Sequence, residues 1–155
     1  MNADNGYDIE DLRVGMSATY AKTLSAADIA LFAQLSDDHN ALHTNEEFAR
    51  TTAFGGCIAH GILTASVISA ALARHLPGPG GVYLGQQLRF MAPVKPGDTV
   101  HATVTVKSVD LARARAELET VCRVHDQVVI DGVALVQTTS SARRAAGARA
   151  AAPQA

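Results

Sequence analysis

The stretch HGILTASVISAAL, from His60 to Leu72, decides the fold of this chain. Continued to Arg74, it carries apolar side chains on nearly all of its faces, which is typical of a buried helix. At 1.5 Å per residue the helix is ~22 Å long. A membrane span needs ~20 consecutive apolar residues, so this one is too short to cross a bilayer. The proline- and glycine-rich LPGPGG at residues 76–81 ends it.

Patterns on either side of this segment predict another helix before it and strands around it. Ser25 begins a capping-box-like SAAD sequence, and apolar residues at helical spacing follow it as far as Ser36. A short helical turn is expected between Asn45 and Arg50. Strands are expected at residues 17–24, 82–91, 99–109, 112–124 and 128–137. Tight turns separate the later strands, so we expect three or four of them to form an antiparallel meander.

The composition describes one ordinary domain. The chain has 155 residues, of which 48% are hydrophobic and 18% charged, with a net charge of −2. This balance excludes a wholly disordered chain and speaks against a nucleic-acid reader, for which a basic surface is expected. Helices followed by a run of strands predict an α+β domain in which a curved antiparallel sheet wraps the apolar helix. We place it at residues 7–139, with flexible tails at 1–6 and in the alanine- and arginine-rich 140–155.

The first residues and the cysteines indicate where the protein works. MNADNGYDIEDLRVG, residues 1–15, is acidic and has no apolar run, so we expect no secretory signal and a cytoplasmic location. Cys57 and Cys122 lack CxxC spacing and are expected to be reduced thiols.

Polar side chains crowd into SDDHNALH, residues 36–43, and recur in the AHG sequence that opens the apolar helix. Asp38 and His43 cannot share a helical face, but across a turn both could face one small molecule. A carboxylate and an imidazole together can move a proton to and from water near neutral pH. Gly61 stands where the helix begins, so its amide has no intrahelical partner and could stabilise an oxyanion.

Simpler interpretations of the same residues remain open. Runs such as SDDHN commonly terminate helices, because their short polar side chains compete for backbone hydrogen bonds. His60 could equally be a satisfied histidine at a helix start. His39 and His43, with Asp37 or Asp38, could be read as metal ligands. No third histidine follows at zinc-site spacing, so we expect no metal.

Two further side chains are weaker candidates for a catalytic role. Cys57 precedes His60 and could be a nucleophile, but nothing in the sequence lowers the pKa of its thiol. Ser66 lies inside the apolar helix, where we expect its hydroxyl to bond the carbonyl four residues earlier.

Taken together, two blocks are more specific than their parts. LSDDHNALH, residues 35–43, resembles the S-x-D-x-N-P-L-H signature of the MaoC-like (R)-specific enoyl-CoA hydratases and 3-hydroxyacyl-thioester dehydratases. AFGGCIAHGILT, residues 53–64, resembles that family's F-G-x-x-I-A-H-G-x-L block. YLGQQLRF and PVKPGD, residues 83–90 and 93–98, are similar to its following strand and turn. The resemblance runs from Tyr7 to Thr139 and implies a hot-dog fold, in which a curved sheet wraps a central helix.

The resemblance also implies an activity within fatty acid metabolism. The family adds water reversibly to trans-2-enoyl-CoA, giving (3R)-3-hydroxyacyl-CoA, without a metal and without a cofactor beyond the CoA of the substrate. Carried over position by position, it makes Asp38 and His43 the catalytic pair that holds the water and Gly61 the amide that binds the thioester carbonyl. Asn40 matches the loop-shaping asparagine. We assign His60 and Ser66 to substrate binding or loop shaping.

Departures and alternatives complete these expectations. Ala41 replaces the family's proline, which loosens the preset backbone of the loop, and Cys57 stands where the family varies. Expected partners are an acyl-CoA or acyl-carrier-protein thioester and a second copy of the chain in a homodimer, with no nucleic acid and no membrane. A non-catalytic hot-dog subunit of a heteromeric dehydratase and a hot-dog acyl-CoA thioesterase are the alternatives. The paired Asp38 and His43 argue against both.

Overall fold

The computed structural model describes residues 6–151 of the chain and the side chains of residues 6–146. A 3-10 turn at Ile9–Asp11 precedes ten helices and strands in the described part. In chain order these are β1 (Ser17–Thr23), α1 (Ala26–Ser36), α2 (Ala41–Thr44), α3 (Glu46–Arg50), α4 (Gly61–Arg74), β2 (Val82–Phe90), β3 (Thr99–Asp110), β4 (Arg115–Val124), β5 (Gln127–Gln137) and α5 (Ser141–Ala151).

The five strands form one antiparallel sheet in the order β1-β3-β4-β5-β2. Strands β3, β4 and β5 are neighbours in sequence and in space, as the meander predicts. Strand β2 pairs with β5 instead of β3, so the meander has three strands and not four. The connection after β2 explains this: it passes the start of α4, where Val94 is buried and its carbonyl accepts the amide proton of Ala59 at 2.7 Å. It thereby delivers β3 to the other side of the sheet, beside β1.

Helix α4 packs across this sheet, against β1, β2, β3 and β4. Its buried apolar side chains form one stripe that meets the inward-facing valines and alanine of β3: Leu63, Val67, Ile68, Ala71 and Leu72 on the helix, and Val100, Ala102, Val104 and Val106 on the strand. The α+β plan with a sheet around a central apolar helix is therefore confirmed. The helix is covered on one face only, because Ile62 is 60% exposed and Ser66, Ser69 and Ala73 on the same side are exposed as well.

Helix α1 begins as its sequence indicates. Ser25 accepts a hydrogen bond from the amide of Asp28, and the Asp28 carboxylate accepts one from the amide of Ser25 in return. This reciprocal capping box satisfies two amides that the first turn leaves unpaired. No helix in the described range 6–151 is long and apolar enough to cross a bilayer.

Ser141–Ala151, expected from the sequence to lie in a flexible tail, form helix α5 in the structure; the flexibility of this segment stays a prediction. The low-complexity composition of this segment did not predict a helix, although alanine and arginine favour helices. A carboxylate near the helix N-terminus stabilises it further. That carboxylate is Glu10, which accepts hydrogen bonds from the Ser140 hydroxyl and the Ser141 amide. Gly6 is also tied down, through its amide and the Pro79 carbonyl. The expected tails at residues 1–5 and 152–155 lie outside the described residues, and the domain bounds 7–139 stay a prediction.

Candidate active site

The loop between α1 and α2 presents Asp38. Asp37 ends α1 in the left-handed region, at φ 60° and ψ 17°, which aspartate tolerates better than most residues. The chain turns there, and the Asp38 carboxylate accepts a hydrogen bond from the Asn40 amide at 3.2 Å. The Asn40 side chain in turn accepts one from the Leu42 amide at 3.0 Å and so caps α2. Asn40 thus shapes the loop between Asp38 and the helix that carries His43.

His43 is held by the second block of sequence. Its Nδ1 lies 2.8 Å from the main-chain carbonyl oxygen of Ile58. A carbonyl oxygen can only accept, so Nδ1 carries a proton, and Nε2 is the ring nitrogen that can gain or lose one. The Ile58 amide also donates to the Leu42 carbonyl at 3.1 Å. These two bonds fix the imidazole plane and leave Nε2 able to take part in proton transfer.

His60 and Gly61 approach the same point from the start of α4. His60 is 2% exposed, and its Nε2 lies 3.0 Å from the main-chain carbonyl oxygen of Asp38. Its ring packs against that of His43, with centroids 3.9 Å apart and planes tilted by 32°. Gly61 is the first residue of α4, so its amide precedes the intrahelical hydrogen-bond ladder and lies at the positive end of the helix dipole.

Phe90, at the end of β2, explains why residue 61 is a glycine. A Cβ atom built on Gly61 would lie 2.7 Å from Cε1 of the Phe90 ring, closer than real contacts allow. The phenyl ring therefore covers the helix start closely.

A cavity of about 590 Å³ joins these groups. Asp38, His43, His60 and Gly61 contribute polar groups to its lining, and most of the other lining residues are apolar, among them Phe32, Ile62, Phe90, Met91 and Ile130. Three of these wall residues are more than half exposed: Ile62 at 60%, Phe90 at 53% and Met91 at 54%. The arrangement suits a ligand with an apolar chain and one reacting polar group.

The trio Asp38, His43 and His60 is also the group of potential metal ligands in the described residues, with one ligand atom from each lying within 4.8 Å of the others. Both histidines hold a carbonyl with their other ring nitrogen, as metal-binding histidines often do. The same carboxylate and imidazole groups can also transfer protons near neutral pH. The expectation of no metal stays a prediction. The His39 and Asp37 side chains, 3.6 Å apart, lie outside this trio.

Ser66 does not reach the cavity. It lies on the exposed side of α4, and its hydroxyl donates to the Leu63 carbonyl at 2.6 Å. The expected bond to the carbonyl four residues earlier is wrong by one position. A serine in a helix can turn its hydroxyl to the carbonyl either three or four residues earlier. The substrate-binding assignment of Ser66 therefore gains no support from this chain's own cavity.

The two cysteines are free thiols, as expected. Burial, with a smaller contribution from the Glu46 carboxylate, raises the pKa of the Cys57 thiol. Burial raises the pKa of Cys122 to about 12. Both shifts oppose thiolate formation, so neither thiol is activated as a nucleophile. The Cys57 amide donates to Glu46 at 2.9 Å and helps to hold the turn before Ile58.

Sequence reasoning missed several apolar residues that line the cavity. Phe32 lies on α1, Phe90 is the last residue of β2, and Met91 follows it. Their spacing in the chain carries no sign that they meet, because the pairing of β2 with β5 is what brings Phe90 and Met91 to the start of α4.

Known proteins match this chain over most of its length. Residues 13–128 match the MaoC like domain. The (R)-specific enoyl-CoA hydratase of Rhodospirillum rubrum is 51% identical over 127 residues, which cover 82% of this chain and 88% of that protein. The 3-hydroxybutyryl-CoA dehydratase of Methylorubrum extorquens is 48% identical over 128 residues, covering 83% of this chain and 82% of that protein.

A solved structure agrees with these sequence matches. The (R)-hydratase from A. caviae involved in PHA biosynthesis superposes with a TM-score of 0.80 at 42% sequence identity, covering 83% of this chain and 98% of that one. Sequence, fold and the arrangement of Asp38, His43 and Gly61 lead to one conclusion: this chain belongs to the MaoC-like family.

Proposed function

We propose that this protein is a hydro-lyase, an (R)-specific enoyl-CoA hydratase that interconverts trans-2-enoyl-CoA and (3R)-3-hydroxyacyl-CoA. The observation that carries the proposal is that a carboxylate, an imidazole and a helix-start amide, from Asp38, His43 and Gly61, line the same largely apolar cavity. The names of the relatives agree with it.

The reaction needs these three groups and one water molecule. The Asp38 and His43 side chains hold the water and take one of its protons as its oxygen bonds to C3. The electrons of the C2–C3 double bond move towards the thioester oxygen, which gains enolate character. The Gly61 amide and the positive end of α4 stabilise that charge. The pair then returns the proton to C2, so one water is added and the enzyme regains its starting state.

Water and the enoyl thioester supply every atom of the product, so we propose that no cofactor is needed beyond the CoA, or acyl-carrier protein, that carries the substrate. Dialysis against EDTA should leave kcat unchanged, because proton transfer by Asp38 and His43 does not require a metal ion. Loss of activity on chelation, restored by a divalent cation, would contradict this.

We further propose that the working unit is a homodimer. Strand β2 is an edge of the sheet, and it exposes Val82 and Leu84. Unpaired edges with apolar side chains are rare on proteins that stay monomeric. A second copy would also cover the exposed wall of the cavity formed by Ile62, Phe90 and Met91. Light scattering after size exclusion should give twice the chain mass.

The cytoplasmic location stays a prediction from the sequence.

The test of the activity is direct. Purified protein mixed with crotonyl-CoA should remove the ultraviolet absorbance of the enoyl thioester without releasing free thiol. Release of free CoA thiol would identify a thioesterase instead. A folded protein that leaves crotonyl-CoA unchanged would favour a non-catalytic subunit.

A further inference from the structure

His60 combines deep burial with an unpaired polar atom. The residue is 2% exposed, and its Nδ1 is buried without a hydrogen-bond partner among the described residues. Buried polar atoms in proteins are nearly always paired, so an exception calls for an explanation. A histidine kept only for fold stability would gain from a partner at that nitrogen.

The other ring nitrogen fixes the tautomer. Nε2 lies 3.0 Å from the main-chain carbonyl oxygen of Asp38, and a carbonyl only accepts, so Nε2 carries the proton. The neutral ring then holds its lone pair at Nδ1.

The imidazole ring of His60 also packs against side chains from two other helices. One neighbour is His43 of α2, with ring centroids 3.9 Å apart, and another is Phe32 of α1, at 4.9 Å. The main chain of His60 is anchored to α4, because its carbonyl accepts the amide of Thr64 at 3.0 Å and the Thr64 hydroxyl at 3.2 Å. Movements of the imidazole relative to α4 are thus restricted on several sides.

We propose that His60 is a positioning residue for the reaction: its Nε2–H fixes the main chain of Asp38, and its ring face fixes the plane of His43. One side chain anchored on α4 thereby sets the distance between the carboxylate and the imidazole that share the reacting water. The inference rests on the hydratase function proposed above and adds a residue to its machinery.

Two substitutions separate the two contacts. His60→Phe keeps a flat ring against His43 and removes the hydrogen bond to the Asp38 carbonyl. His60→Gln keeps an amide donor near the position of Nε2 and removes the ring. Each should lower kcat for crotonyl-CoA by about 10- to 100-fold, since displacements of about 1 Å at a reacting group have effects of this size. KM should change less than about twofold, because the apolar walls that bind the acyl chain are untouched.

Thermal unfolding distinguishes positioning from a structural role. The Phe variant removes the unpaired Nδ1 along with the lost hydrogen bond, so its Tm should stay within a few degrees of wild type while kcat falls. A residue with a purely structural role would show the reverse, a lower Tm with kcat retained. His75→Phe is the matched control, since it places the same change on an exposed histidine just after the other end of α4. It should leave both kcat and KM unchanged.

The outcomes separate this inference from the function on which it rests. Wild-type protein and His75→Phe that hydrate crotonyl-CoA establish the function independently of His60. Folded His60 variants with kcat within about twofold of wild type would then overturn the inference alone. Failure of both His60 variants to fold would assign the residue to stability and also overturn it. A wild-type protein without turnover would overturn the function and this inference with it.

Discussion

The carboxylates of two regions are surrounded differently. The terminal latch, formed by Asp8, Glu10, Ser140 and Arg144, joins the first turn to α5. Hydrogen bonds from Arg144 and then Thr139 lower the pKa of Asp8, and those led by the Ser140 hydroxyl lower the pKa of Glu10 to about 2.

In the loop between α1 and α2, within the described residues, the Asp38 carboxylate accepts one amide hydrogen bond, from Asn40 at 3.2 Å. The carboxylates of the terminal latch are thus surrounded by several hydrogen-bond donors. The carboxylate to which we assign proton transfer keeps lone pairs for a water molecule.

The largest effect should come from removing the free carboxylate. Asp38→Asn should lower kcat for crotonyl-CoA by about 10²- to 10⁴-fold, the usual range for loss of a general base, with little change in Tm. His43→Ala should have a comparable effect. Asp37→Asn is the control, because asparagine suits the left-handed conformation of that residue. An Asp38 variant that keeps most of its activity would refute the role given to this residue.

A smaller loss of activity is expected when the Gly61 amide is displaced. Gly61→Ala would push its methyl group into the Phe90 ring, and the shift should lower kcat/KM by about 10²-fold, as misplacement of a reacting group does. Combining it with Phe90→Leu should recover part of the loss. Equal activity of the single variant and wild type would show that the carbonyl is not held at this helix start.

The latch should affect stability and not catalysis. Glu10→Gln should lower the Tm by a few degrees at pH 7 without changing kcat. The pKa of Glu10 is lowered from 4.5 to about 2 in the folded chain, so its contribution is present above pH 4.5 and disappears as the pH falls through 2. The Tm difference between wild type and variant should therefore narrow at pH 3. A difference that is constant from pH 7 to pH 3 would contradict an ionic role.

The smallest effect is expected from restoring the family's proline. Ala41 is the first residue of α2, and the preceding Asn40 has ψ 131°, which suits a residue before proline. Ala41→Pro should stabilise the chain by about 0.4–1 kcal/mol, because it restricts the unfolded state. Chemical denaturation would measure the gain, and a loss of stability would show that the loop does not accept the proline geometry.

The sequence allowed prediction of features that depend on neighbouring residues. The apolar run of α4, the capping box at Ser25 and the strands β3 to β5 follow from local patterns, and each appears in the structure. The position of β2 beside β5 was not predictable, because it depends on a long connection and not on a turn. Helix α5 was missed since its anchor, Glu10, lies more than a hundred residues away in the chain.

In the candidate site, too, the features set by local sequence were predictable and those set by distant residues were not. Asp38, His43 and Gly61 were identified from their residue types and from the family signature, and the structure places them at one cavity. The stacking of His60 on His43 and the Phe90 ring over Gly61 join segments far apart in sequence, so no local pattern reveals them. Ser66 is not among the residues that line the cavity, so its assignment to substrate binding or loop shaping stays a prediction.

The measurement that tests the central claim most directly is the configuration of the hydration product. Crotonyl-CoA incubated with the wild-type protein should give (3R)-3-hydroxybutyryl-CoA, identified by chiral chromatography after hydrolysis, because Asp38 and His43 present water to one face of the bound double bond. Formation of the (3S) isomer, or of both isomers equally, would contradict the account.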